Sequence, residues 1–201
     1  AFVNSAMTGA NGGLVVVAAD DPSMHSSQNE QDSRFYGKFA LVPTFEPSTQ
    51  QEAYDMAKAA FELSERFRIP VLMRLTTRMA HSRAVVETGE ARAENPLSHP
   101  EQPRQWVLMP GNSRVRYQTL LEDYARLEEE SAASPFNAYT EGPDKRLGII
   151  ACGIAHNYVM ENSPDGCPHP VLKLSQYPLP RDLVRRMASE CQALLVVEEG
   201  Q

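Results

Sequence analysis

The sequence predicts an α/β chain organised as two successive units. Three observations carry this. Short apolar, β-branched runs, Leu14–Ala19, Val71–Leu75, Leu147–Ala151, Val171–Leu174 and Leu194–Val197, have the length and unbroken hydrophobicity of buried strands. Helix-spaced apolar stripes alternate with them. Between the two sets lies a Pro-rich polar stretch from Glu87 to Pro110 with little periodicity. We expect a first domain over residues 1–88, a linker with one helix over 89–143, and a second domain over 144–201.

In chain order, Ala1–Ala10 reads as the end of a helix and Asn11-Gly12-Gly13 as a turn into the first strand, Leu14–Ala19. Phe39–Pro43 is expected to form a second short strand. Ser48 with Gln51, or Thr49 with Glu52, supplies a capping box for the next helix. That helix would place Ala53, Met56, Ala57, Ala60, Phe61, Ser64 and Phe67 on one face. Val71–Leu75 follows, and a strand–helix–strand crossover implies parallel pairing. Arg114–Ser131 carries Tyr117, Leu120, Leu121, Tyr124 and Leu127 on one helical stripe. Its acidic end, Glu128–Glu130, either frays or meets a basic partner. Ser134–Asp144 reads as loop, and Gly153–Asn162 as helix. A final helix opens with Pro180 at its first position and shows Leu183, Val184, Met187, Ala188 and Cys191 on one face.

Two polar stretches follow strands. Asp20–Arg34 leaves the first strand and contains only Met24 and Pro22 as apolar residues, so it cannot build a core. Thr76–Arg83 leaves the strand Val71–Leu75. With parallel strands both lie at one sheet edge, where open α/β sheets bind ligands. Candidate cleft residues are Asp20, Asp21, His25, Ser26, Gln28, Asn29, Arg34, Arg78 and His81. The residues leave two readings open. Arg78 and Arg83 contact a substrate, or they pair with Asp21, Glu30 or Asp32 and order the loops. Arg34 is placed to clamp Glu30 or Asp32.

Composition narrows the classes. A net charge of −7 argues against a general nucleic-acid binder. No apolar run approaches the roughly 20 residues of a bilayer span, so no membrane partner is expected, and the expected compartment is the cytoplasm. Cys152, Cys167 and Cys191 lie far apart and suit free thiols. Three thiolates cannot hold a [4Fe–4S] cluster alone. The five histidines show no metal-ligand spacing, and no Walker A, G-x-S-x-G, H-E-x-x-H or G-x-G-x-x-G motif occurs.

The stretch G-G-L-V-V-V-A-A-D-D-P-S-M-H-S-S-Q-N-E-Q-D-S-R at Gly12–Arg34 resembles the pyrimidine-domain segment of indolepyruvate:ferredoxin oxidoreductase α subunits. These belong to the thiamine-diphosphate-dependent 2-oxoacid:ferredoxin oxidoreductases. Phe45–Ser48, Ile69–Arg83 and Tyr177–Pro180 fit the same pattern in order. The resemblance implies part of a pyrimidine-binding domain followed by the start of a transketolase C-terminal-like domain. It implies an internal piece of an enzyme that oxidatively decarboxylates aryl pyruvates to acyl-CoA. Thiamine diphosphate, Mg²⁺ and [4Fe–4S] clusters would serve the parent enzyme, with none bound to this chain. Implied partners are a β subunit, ferredoxin, coenzyme A and aryl pyruvate, in an oligomer. The family's thiamine-contacting glutamate would precede Ala1, and its G-D-G diphosphate motif does not occur here. No catalytic residue or metal ligand is therefore expected in the chain, which alone should be inactive. Pyruvate or another 2-oxoacid is the alternative substrate, and a purely structural assembly module the alternative role.

Overall fold

The computed structural model describes residues 1–99 and 101–200. Two four-stranded sheets form the scaffold. In the first, β1 (Val15–Asp20) lies parallel to β3 (Val71–Thr76), with Val15 opposite Val71 and Asp20 opposite Thr76. β2 (Thr44–Phe45) runs parallel on the other side of β3. The sheet is completed by β7 (Gln176–Tyr177), antiparallel to β2. The second sheet has the order β4 (Ala138–Thr140), β6 (Val171–Leu174), β5 (Gly148–Cys152), β8 (Leu194–Val197). Here β5 is parallel to both β6 and β8, while β4 is antiparallel to β6.

The crossover from β2 to β3 is α3 (Gln50–Phe67). Its start is fixed chemically. The Thr49 hydroxyl accepts from the Glu52 amide at 3.1 Å, and the Glu52 carboxylate reaches back to the Ser48 amide and hydroxyl at 2.6 and 2.7 Å. Orphan donors of the first turn are thereby satisfied. The inward face is Met56, Ala60, Leu63, Ser64 and Phe67. Phe61, expected inward, is half-exposed, and Leu63 takes its place. Arg68 ends the helix in the left-handed region at φ 55°. Together with Val42, Phe45, Val71, Leu72 and Met73 this face makes the larger core. A smaller core under the second sheet gathers Ile150, Cys152, Leu172, Leu174 and Met187, the last from α7 (Arg181–Glu190).

Three local expectations are corrected. Phe39–Pro43 is not a strand. Residues Arg34–Ala40 form α2, which buries Gly37 and Ala40 and leaves Phe35, Tyr36 and Phe39 exposed. The apolar run read as a strand is the end of this helix and its exit through Leu41 at φ 59°. Ser134–Asp144 is not all loop, because Ala138–Thr140 pairs with β6. Pro180 caps α7 rather than beginning it.

The long helix α5 (Pro110–Ala132) packs against α1 (Phe2–Thr8), α7 and β7. Its acidic end meets basic partners: Glu130 pairs with Arg66, and Glu128 with Arg181 at 3.4 Å. At its C-terminus Ser131 donates to the Gln176 carbonyl at 2.8 Å. Asn137 accepts from the Ser175 and Gln176 amides at 2.8 and 2.9 Å. These bonds carry the strand β7 out of the second sheet's run and onto the edge of the first.

Candidate functional site

The carboxyl ends of β1, β2, β3, β5 and β8 converge on one polar hub. Its centre is Arg74, in mid-β3 and without exposed surface. A buried guanidinium must be paired and fully bonded. Arg74 Nε donates to Asp20 Oδ2 at 2.6 Å, Nη1 pairs with Glu46, and Nη2 donates to the Glu199 carbonyl at 2.8 Å. Arg34 forms the second layer. It clamps Asp32 through Nε and Nη2, and its Nη1 meets Glu198 at 2.6 Å and Glu46 at 3.8 Å. Tyr177 donates to Glu46 at 3.2 Å. Two guanidinium groups thus face the carboxylates of Asp20, Asp32, Glu46 and Glu198. Burial pushes the Glu46 carboxyl above its ordinary range, against the pull of Arg74 and Arg34. Burial also acts to raise Asp32, but the Arg34 clamp and the two nearby cations hold it below the usual value. Arg34 and Arg74 both stay charged, their carboxylate neighbours outweighing burial.

The loop after β1 is bonded to itself and to the hub. Asp20 also accepts from the Ser33 amide and hydroxyl at 2.7 and 3.0 Å. Asp21 accepts from the Ser26 and Ser27 amides at 2.7 and 2.8 Å and from the Thr77 hydroxyl at 2.6 Å. The Thr77 bond and the loop amides hold its carboxyl well below the usual range. Glu30 accepts from the Ser23 amide at 2.8 Å, and Gln31 from the Asp21 amide at 3.0 Å. These carboxylates are satisfied by loop amides and hydroxyls together with Arg74 and Thr77, and among the described residues neither Arg78 nor Arg83 pairs with them.

Beside the hub an open pocket of about 620 Å³ lies over the ends of β1 and β3. His25, Arg78 and His81 line it with Thr77, Ser82, Tyr158, Glu198 and Glu199. His81 and Arg78 stand on the short helix α4 (Thr77–His81), and Tyr158 on α6 (Ala155–Glu161), which packs on β5 of the second sheet. The structure thus brings His25, Arg78 and His81 together. It places Asp20, Asp21 and Arg34 beneath them as support. Ser26 is exposed and lends its amide to Asp21, while Gln28 and Asn29 are exposed and make no hydrogen bond among the described residues. No group of three or more His, Cys, Asp or Glu among the described residues could hold a metal ion.

Over 203 residues the chain is 47% identical to the indolepyruvate oxidoreductase subunit IorA of Methanothermobacter marburgensis, matching 98% of this chain. The Archaeoglobus fulgidus and Pyrococcus abyssi subunits of the same name are 45% and 42% identical over 96% and 98% of it. The chain is a relative of the IorA subunits. It spans about a third of their length, 33%, 32% and 32% respectively. No family model matches. Among solved structures, 2-oxoglutarate:ferredoxin oxidoreductase from Magnetococcus marinus, with 2-oxoglutarate, coenzyme A and succinyl-CoA bound, superposes with a TM-score of 0.66. That match covers 97% of this chain and 42% of the other at 12% identity, and shows a shared α/β fold.

Several residues of this site were not singled out as site candidates by the sequence: Glu46, Arg74, Tyr158, Tyr177, Glu198 and Glu199. Arg74 carried a usable signal, a lone charge inside the apolar run Val71–Leu75. Glu46 and Tyr177 stand in the short stretches Phe45–Ser48 and Tyr177–Pro180 that carry the resemblance, but nothing local to them or to Tyr158, Glu198 and Glu199 says that the fold brings them together.

Proposed function

We propose that the chain forms one wall of the substrate cleft in a ferredoxin-dependent 2-oxoacid oxidoreductase, acting on an aryl pyruvate such as indolepyruvate. The observation that carries this is Arg78. It is exposed in the pocket at the carboxyl edge of a parallel sheet, flanked by His25 and His81, with no ion pair among the described residues. A cation so placed suits the carboxylate of a 2-oxoacid, because a guanidinium binds carboxylate bidentately. Asp21 and Thr77 hold the strand ends that frame it, and the Arg74 hub below keeps both loops in place. In this reading residues 1–88 contribute the cleft and 144–201 brace it across the segment 89–143. A β subunit, ferredoxin and coenzyme A complete the enzyme.

Thiamine diphosphate would supply the electron sink for decarboxylation in the whole enzyme. The described residues do not fit the metal that accompanies its diphosphate, since the carboxylates gathered here, Asp20, Asp32, Glu46 and Glu198, are taken up by Arg34 and Arg74. The part of this chain in the reaction is to bind and orient the oxoacid.

The test is Arg78→Ala in the intact oxidoreductase. Losing a charge-assisted bond of about 1.5–3 kcal/mol raises KM for the oxoacid roughly 10- to 150-fold. An unchanged KM overturns the assignment. A second reading, an assembly surface, is favoured by α2. There Phe35, Tyr36 and Phe39 are 58%, 64% and 73% exposed on one short helix. Loss of subunit association on substituting these three, with KM unchanged, would identify that role.

A further inference from the structure

We propose that Tyr158, from the second unit, is a positioning residue that holds Arg78 in its anion-binding pose; this rests on the carboxylate reading above. The Arg78 guanidinium lies 5.0 Å from the centre of the Tyr158 ring. No carboxylate within ion-pairing distance competes for it among the described residues, so the ring face is the contact that orients this cation. A free arginine surrenders rotamer freedom when it grips an anion, and a ring that gathers it beforehand reduces that loss. Stacking leaves the guanidinium edge, where its donors point, available to a carboxylate.

The ring is itself held at both ends. Its hydroxyl donates to Glu199 Oε1 at 2.5 Å. The Glu199 carbonyl is fixed in turn by Arg74 Nη2 at 2.8 Å. Burial and the Glu199 bond push the phenol up to about 12, so the hydroxyl remains a donor at neutral pH. The helix bearing Tyr158 is pinned to the first unit, because Asn157 Nδ2 donates to the Ser48 carbonyl at 2.7 Å. A continuous chain of contacts therefore runs Arg74–Glu199–Tyr158–Arg78. It starts and ends on the first unit and passes through the second. The pose of the cation depends on how the two units are docked.

The test uses the intact oxidoreductase and reads KM and kcat separately. Tyr158→Leu removes the ring. On the scale of an exposed cation–π contact, it should raise KM for the oxoacid roughly two- to five-fold with kcat little changed. Tyr158→Phe keeps the ring and should stay within about twofold of the parent. In an Arg78→Ala background Tyr158→Leu should add nothing, since the two act as one unit. A parental KM in Tyr158→Leu overturns the proposal, and so does an equal effect of Tyr158→Leu with and without Arg78. If Arg78→Ala alone raises KM while Tyr158→Leu does not, only the positioning role fails. If Arg78→Ala has no effect, the carboxylate reading fails first.

Discussion

Arg74→Met should be among the most damaging single substitutions in the chain. The side chain has no exposed surface, and its partners Asp20 and Glu46 are 7% and 1% exposed. Methionine fills most of the volume but abandons both carboxylates and the Glu199 carbonyl. Breaking a buried pair by removing one partner costs about 3–5 kcal/mol. For a chain of this size each kcal/mol moves the thermal midpoint by about 2–4 °C, so the drop should be roughly 6–20 °C. Much of that cost is the stranded charge rather than lost attraction. The triple variant Arg74→Met, Asp20→Asn, Glu46→Gln should therefore recover at least half of it. Thermal and urea unfolding followed by far-UV circular dichroism would measure both variants. A loss below about 1 kcal/mol in the single variant, or no recovery in the triple, would refute the reasoning.

The hub should also show in the pH dependence of stability. Because burial raises Glu46 in the folded state, the native chain keeps a proton that the unfolded chain releases first. Stability should therefore fall as pH rises from the ordinary glutamate value of about 4.3 through the raised folded value. Glu46→Gln should flatten that fall, and thermal midpoints at successive pH values with unchanged slope would count against it. Limited proteolysis should cut first within Ala91–Arg104, since residues 83–99 form coil, exposed except at the half-buried Val86, in which Val85 and Leu97 have no cover. First cleavage inside β1 or β3 would contradict the proposed division into two units.

The sequence made the strands and long helices readable because each carried its own period. Leu14–Ala19 and Val71–Leu75 could be read as strands of one parallel sheet from apolar runs and a capped helix before the second, and β1 and β3 are parallel; that they pair directly was not legible. The site was half legible. Polar stretches after two strands pointed to one sheet edge, and His25, Arg78 and His81 do share a pocket there. What escaped was pairing over long separations. Glu46 and Tyr177 are 131 residues apart, and Arg74 and Glu199 are 125 apart. No local pattern announces such contacts. Phe39 misled for the opposite reason. An aromatic beside Ala40, Leu41 and Val42 looks like a buried strand, but it is the outer face of a helix whose small inner residue, Gly37, packs on Thr44 and Leu72.

The strand β7 carries a consequence for biosynthesis. β2 needs β7 to close its free edge, yet Gln176 leaves the ribosome 131 residues after its partner Phe45. At translation rates of about 5–20 residues per second, that edge waits roughly 7 to 26 s for its neighbour. During the wait a nascent first unit can satisfy the edge only with water, a chaperone or another chain. A strand of two residues offers little template for mispairing. The brevity of β2 is thus a safeguard that acts before the protein is finished.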